Sequence, residues 1–221
     1  MSWLYVDTGK GESAWNMALD EVLLNSISAI GRPVLRFYGW TDTAATFGYF
    51  QKYADIAAWT PLRPLIRRPT GGGLVPHDAD WTYSVIIPPS HPWYELRAAE
   101  SYLHLHRWVA AALRAACIPA DLAPTASKEI PGQCFAGAEQ HDILLNGRKI
   151  AGAAQRRARE GLLIQGSIQS LPSGAERAQW QEKMRANPAI WTELALNKGM
   201  RSRADELVAT KYSQESYNQR R

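Results

Sequence analysis

Three stretches of this chain hold side chains whose type and spacing could do chemistry. The densest is Arg67-Arg68-Pro69-Thr70-Gly71-Gly72-Gly73-Leu74-Val75-Pro76-His77-Asp78. Three consecutive glycines let a ligand approach main-chain N–H groups closely, because no Cβ stands in the way. The arginines beside them offer a planar fork for a carboxylate or phosphate. The run lacks the Gly-Lys-Ser/Thr ending of a Walker loop and the spacing of a dinucleotide fingerprint. A plain glycine-rich turn accounts for the glycines equally well. His77 alone reads more readily as a structural histidine than as a catalyst, and with Asp78 it still lacks the ligands of a metal site.

The second stretch centres on Lys149, two residues after Asn146-Gly147. Ile150-Ala151-Gly152-Ala153-Ala154 follow, and such small side chains suit a strand that lines a narrow pocket. Strand alternation places Lys149 on one face with Ala151, Ala153 and Gln155. Turned inward, its ammonium would be partly desolvated and would hold a carbonyl or carboxylate oxygen. Turned outward, it is an ordinary solvated residue.

The third is Cys134 in Pro131-Gly132-Gln133-Cys134-Phe135-Ala136-Gly137, a loop by composition. A loop thiol beside a ligand pocket is a candidate nucleophile. Cys117, at the end of an apolar helix, reads instead as a small buried hydrophobe. No G-x-S-x-G elbow points to a serine triad.

Elements that could position these residues are legible. Ser13 reads as the N-cap of a helix carrying Ala14, Met17, Ala18, Val22 and Leu23 at helical spacing. A second helix spans about 97–117, with Ala98, Tyr102, Leu105, Val109, Leu113 and Ala116 as its buried stripe and Pro119 as its stop. Strands are expected at 34–38, 81–87 and 162–169. Asn146-Gly147 predicts a hairpin, since both central positions of a type I′ turn need positive φ. Strands with a few helices and no regular βαβ alternation indicate an α+β fold on a large, mostly antiparallel or mixed sheet. Residues 1–172 read as the catalytic domain. Residues 173–221 read as a helical C-terminal extension packed on it, with helices over 175–186, 189–196 and 203–211.

Composition bounds the function. The chain has 221 residues, 46% hydrophobic and 21% charged, which is globular and excludes a disordered chain. Its two cysteines can build neither a disulfide scaffold nor a four-thiolate zinc site. No apolar run reaches a membrane span and the first residues do not read as a secretory leader, so a cytoplasmic setting is expected. Part of the net charge of +4 sits in Arg201, Arg203, Lys211, Arg220 and Arg221, which reads first as a solvated tail and, as the sharper alternative, as a basic surface for an acidic protein partner. Without a dense basic run, zinc finger or aromatic RNA-binding motif, nucleic acid and membrane partners are not expected.

Taken together, these stretches resemble the biotin/lipoate protein ligase and lipoyl/octanoyl transferase superfamily. The resemblance rests on Asn16-Met17-Ala18-Leu19-Asp20-Glu21, the RRPTGGG-x-V-x-HD run and G-R-K-x-x-G-x-A-Q from Gly147 to Gln155. Asp142-Ile143 and Gln165-Gly166-Ser167-Ile168 complete it, in colinear order over roughly residues 3 to 170. It implies an acyl tunnel beside the glycines, lined by Arg68, Thr70, Gly71, Gly72, Gly73 and His77, with Gly152 and Ala153 as its wall. Lys149 would contact the acyl carbonyl or the acyl-adenylate.

Two branches follow. In the cysteine-dependent octanoyl and lipoyl transferases, Cys134 would carry the acyl group as a thioester, and no cofactor or metal is needed. An acyl carrier protein or another acyl donor would supply the group. The acceptor would be a lysine of a lipoyl domain, such as glycine cleavage H protein or a 2-oxoacid dehydrogenase E2. In lipoate–protein ligases, ATP and Mg would activate free lipoate as an adenylate. Cys134-Phe135 ahead of His141-Asp142-Ile143 matches the transferase arrangement. The chain ends sooner than such transferases usually do and lacks the accessory domain of complete ligases, which leaves a partner subunit open. A catalytically silent acyl-binding relative is the third reading.

Overall fold

The computed structural model describes residues 2–128, 135, 137–186 and 190–220. The elements run β1 (Trp3–Gly11), α1 (Ser13–Ile30), β2 (Val34–Trp40), β3 (Ala44–Phe47), α2 (Tyr53–Trp59), β4 (Leu65–Arg67), β5 (Val75–His77) and β6 (Trp81–Ile87). Then come α3 (Pro92–Glu95), α4 (Ala98–Ala115), β7 (Ala120–Leu122), β8 (Ser127–Lys128), β9 (Gly137–Ala138), β10 (Ile143–Leu145), β11 (Arg148–Ala158) and β12 (Gly161–Ile168). The chain finishes with α5 (Arg177–Met184), β13 (Trp191–Glu193), α6 (Lys198–Leu207), a π-helical turn at Val208–Tyr212, and α7 (Glu215–Asn218).

One eight-stranded sheet organises the protein, in the order β13-β1-β2-β6-β12-β11-β10-β7. The β13-β1-β2 edge is parallel and every other pairing is antiparallel, so the expected α+β class with a mixed sheet holds. Strand alternation sorts side chains to two covered faces. Leu35, Phe37, Val85, Leu162 and Ile164 meet α4 and α5 on one. Val34, Tyr38, Ile86 and Leu163 meet α1 and α6 on the other. Both faces are covered, so β12 is buried along its whole length despite its period-two pattern.

A smaller sheet, β4-β3-β5, carries the residues on either side of the glycine run. The hairpin forms as expected, with Asn146 at φ 50° and Gly147 at φ 78° between β10 and β11.

Four local expectations need correcting. Helix α1 begins with Ser13 itself rather than being capped by it. Asp42 reaches in from another segment and accepts from the Ser13 N–H (3.1 Å) and hydroxyl (2.7 Å), placing an acid on the positive helix end. Cys117 is exposed, not buried. It takes the left-handed conformation (φ 61°) just past α4, which turns its side chain out of the helix stripe. Residues 191–193 form a strand rather than part of a helix. There the backbone completes the open edge of β1, with Trp3 N–H donating to the Ile190 carbonyl and Leu194 N–H to the Tyr5 carbonyl. Trp191 joins the rings of Trp3 and Trp108. The fourth correction concerns Lys149 and is described with the site.

Among the described residues, no helix is long and apolar enough to cross a membrane, and no group of three or more His, Cys, Asp or Glu is gathered to hold a metal ion.

Candidate active site

On the α1 face of the large sheet lies a cavity of about 100 Å³. Tyr38 and Trp40 of β2, Thr82 of β6, Gln165 and Ser167 of β12, and Gly152 and Ala154 of β11 form its floor, all at positions that alternation turns to that face. Met17 of α1, Val75 and Phe135 add apolar wall. The glycine run closes one side and Lys149 stands on another.

Lys149 reaches this face through a bulge. Ile143 pairs with Ala151 but Leu144 pairs with Lys149, so Ile150 is the extra residue. Ile150 and Ala151 both enter the core on the opposite face. The regular alternation that would have grouped Lys149 with Ala151, Ala153 and Gln155 is therefore broken, and Lys149 joins Gly152 and Ala154 instead. Gly152 leaves the room this requires. A Cβ there would sit 3.0 Å from both Cε and Nζ of Lys149.

The lysine side chain is only 6% exposed, and its ammonium pairs with the fully buried Asp142 at 2.6 Å. Asp142 also accepts from the Glu139 N–H (2.6 Å) and, through Oδ1, from the Tyr102 hydroxyl. Burial, and then the Asp142 charge, push the Tyr102 phenol far up, so it remains a donor. The Ala153 N–H completes the Tyr102 hydroxyl at 3.3 Å. Behind it, burial pushes His106 down to about 4. This neutral ring donates from Nδ1 to the His141 carbonyl (2.6 Å) and so holds the turn that presents Asp142. The ring of Phe135 lies 5.1 Å from the Lys149 ammonium, a cation–π approach.

The glycine side is a hydrogen-bonded scaffold. Arg68 lines the cavity and folds back on its own loop, donating from Nε (3.1 Å) and Nη2 (2.6 Å) to the Gly71 carbonyl. Its Nη1 meets Thr46 Oγ1 at 3.4 Å. His77 stacks on Trp40, with ring centroids 3.7 Å apart. Its Nδ1–H donates to Asp80 (2.9 Å) while Nε2 meets Thr46 Oγ1 (2.8 Å), so both ring nitrogens are engaged. Burial alone would raise the Asp80 carboxyl, but the His77 charge and hydrogen bonds from His77, Ser167 and Thr82 outweigh it and hold it below its ordinary value.

Deeper, Asp20 and Arg36 form a fully buried pair at 2.7 Å. Ser84, Tyr38 and Gln165 also donate to Asp20. Thr70 is buried beside this group and donates to Gln165 Oε1 at 2.7 Å. Gly72 takes φ 82° and approaches Gly48 so closely that a Cβ on Gly48 would lie 1.9 Å from the Gly72 carbonyl oxygen.

The structure thus gathers Arg68, Gly72, Gly73, His77, Lys149, Gly152 and Ala153 around one cavity. Thr70 and Gly71 stand behind that wall as its supports. Cys134 lies outside the described residues. In the sequence reading Tyr102 is a stripe residue and Asp142 a motif residue, and neither is given a chemical role. The signal for Tyr102 is a hydroxyl in an otherwise apolar helix stripe, which demands a partner once buried. For Asp142 it is an acid just ahead of the hairpin, across from the lysine.

Residues 12–181 match the lipoyl protein ligase A/B catalytic domain. The chain belongs to that family. It is 34% identical over 179 residues to octanoyltransferase LipM of Macrococcus caseolyticus, which covers 75% of this chain and 65% of the relative. It is 35% identical over 181 residues to octanoyltransferase LipM of Bacillus subtilis, covering 76% and 65%. The match therefore spans just under two thirds of the relatives' length. Protein Ta0514 of T. acidophilum shares the fold, with a TM-score of 0.81 at 20% identity over 100% of both chains. The family assignment agrees with the resemblance carried by the glycine run and the GRK hairpin.

Proposed function

We propose that the chain is a cytoplasmic acyltransferase of protein lipoylation. It takes an octanoyl or lipoyl group from an acyl carrier protein or a similar thioester donor. Cys134 gives up its proton, its thiolate attacks the acyl carbon, the donor's C–S bond breaks, and the departing carrier sulfur takes up a proton and leaves as a thiol. The uncharged ε-amine of a lysine on a lipoyl domain then attacks the Cys134 thioester. An amide forms, the Cys134 C–S bond breaks, and the cysteine regains its proton. Splitting one difficult transfer into two thioester steps is what a cysteine contributes.

The observation that carries this reading is the place of Phe135. This residue, joined directly to Cys134, lines the cavity and lies against the Lys149 ammonium. A fixed cation beside a narrow, largely apolar cavity suits an oxygen that gains negative charge as the acyl carbon is attacked. Two relatives that bear the name octanoyltransferase support the same choice. Arg68, Gly72, Gly73, His77, Gly152 and Ala153 would enclose the chain, and Thr70 and Gly71 would support them. The acceptor, a lipoyl domain of an H protein or E2 type, is commonly acidic and suits a chain of net charge +4.

Mass spectrometry of the protein mixed with octanoyl carrier protein tests this. A hydroxylamine-labile octanoyl adduct is expected on the wild type and on Cys117→Ala, and none on Cys134→Ala, with neither ATP nor Mg added. Full transfer by Cys134→Ala, or release of AMP and pyrophosphate from lipoate and ATP, would overturn it in favour of an adenylating ligase.

A further inference from the structure

The last helix lies outside the family match, yet it is bolted to the glycine run. Arg67 closes β4 immediately before Arg68 and is fully buried. Its backbone N–H donates to Asn218 Oδ1 at 2.8 Å. Its guanidinium bridges two further segments, 49–51 and 217–218. It donates to the carbonyls of Tyr49 (2.8 Å) and Gln51 (2.7 Å), and to those of Tyr217 (3.3 Å) and Asn218 (2.9 Å). Only arginine has enough fixed donors for such a junction. Asn218 is buried too, and anchors itself by donating from Nδ2 to the Tyr212 carbonyl at 2.9 Å. Outside this layer, the Arg220 guanidinium lies 4.2 Å from the Tyr49 ring and 4.8 Å from the Tyr217 ring.

The segments that Arg67 joins are those that hold the cavity wall. Tyr49 N–H donates to the Thr70 carbonyl (2.9 Å) and Arg68 N–H to the Phe47 carbonyl (3.0 Å). Gly48 packs on Gly72, and Gly72 lines the cavity. A displacement of the 48–51 loop would therefore move the glycine wall with it.

We propose that Asn218, acting through Arg67, is a positioning residue for the glycine-loop wall of the acyl cavity. It makes no contact with the acyl group. It sets the register of the loop that does, so a segment beyond residue 181 is part of the substrate site. The catalytic half of this proposal rests on the acyltransferase reading; the mechanical half does not.

The test uses the full chain carrying Asn218→Ala, with two readouts. The first is amide hydrogen exchange, without substrate, at Tyr49 and Arg68, whose N–H groups bond the Thr70 and Phe47 carbonyls and so tie the 48–51 loop to the glycine wall. Exchange should accelerate by about tenfold or more, because the substitution deletes both Asn218 side-chain bonds, from the Arg67 N–H and to the Tyr212 carbonyl, and one bond of ordinary net strength is worth up to about tenfold. Amides of β6 and β12 should be unchanged. The second is acylation of Cys134 by a small octanoyl thioester, where KM should rise about tenfold and kcat should stay within about threefold. A lowered melting temperature with both readouts unchanged would overturn the proposal, because it would make Asn218 a purely structural contact. If Asn218→Ala does not fold, Arg220→Ala, an exposed position, should move both readouts in the same direction by about two- to threefold, and no movement would overturn the proposal equally. Should the wild type transfer no acyl group at all, the functional reading fails, and the exchange measurement alone still decides whether the clamp exists.

Discussion

Behind the glycine wall, Asp20 and Arg36 meet at 2.7 Å with neither side chain exposed. Across the cavity, Asp142 and Lys149 meet at 2.6 Å, also out of solvent. Both are carboxylate–cation pairs, and both carboxylates collect further donors from neighbouring side chains or backbone. They differ in where the cation ends. The Arg36 guanidinium is absorbed by Thr8, Asn16 and Asp20 and does not line the acyl cavity. The Lys149 ammonium stands on the cavity wall beside Gly152 and Phe135. Burial and pairing are thus shared by a structural group and a candidate catalytic one. Only access to the cavity separates them.

Substitutions can break that contrast. Asp20→Ala should do so most severely, by leaving Arg36 buried without its carboxylate. A loss of about 3–5 kcal/mol is expected. Denaturant unfolding reads it, while acylation by the fraction still folded falls far less. Lys149→Ala should reverse the pattern. Removing one oriented donor from a developing oxyanion costs about 10²–10³ in rate. Its stability loss should be smaller than that of Asp20→Ala, because Asp142 keeps its hydrogen bonds from Tyr102 and Glu139 and gains access to water in the cavity. Lys149→Arg should rescue poorly, since a planar fork cannot take the place of a point charge against Gly152. Normal single-turnover acylation by Lys149→Ala would end the assignment. The mildest test is Thr70→Val, which deletes the donor to Gln165 and nothing that lines the cavity. A cost of about 1 kcal/mol to unfolding is expected, with transfer within a few-fold of wild type.

How much of this was legible beforehand depends on which interactions are local. The Asn146-Gly147 turn, β6 and α4 were readable because turn chemistry and periodicity act within a few residues. The glycine run and GRK hairpin, read as motifs, also landed on one cavity. The Ile150 bulge was not readable, because it is set by how β10 and β11 register, and one extra residue turns every following side chain to the other face. Asp142 and Tyr102 escaped for a related reason. Their partnership joins a helix to the mouth of a hairpin, and no spacing in the chain announces it. Cys117 was misjudged because a left-handed residue past a helix end is most often signalled by glycine or asparagine. The strand at Trp191 was missed because its partner, β1, lies at the other end of the chain.

That last pairing has a consequence for how the molecule is made. The outer edge of β1 is covered by β13, and α1 is covered by α6 and the turn after it. Trp15 is bonded to Asp205, 190 residues downstream, and Glu21 to Lys211 and Tyr212 at similar distances along the chain. Strand β1 and helix α1 are therefore synthesised well before the segments that cover them. Until then they present an open strand edge and an apolar helix face, the surfaces on which nascent chains aggregate. Long-range closure of this kind slows folding. Residues 3–30 thus depend for their cover on segments beyond residue 190, so a chain cut short of β13 and α6 would leave the β1 edge and the apolar face of α1 bare.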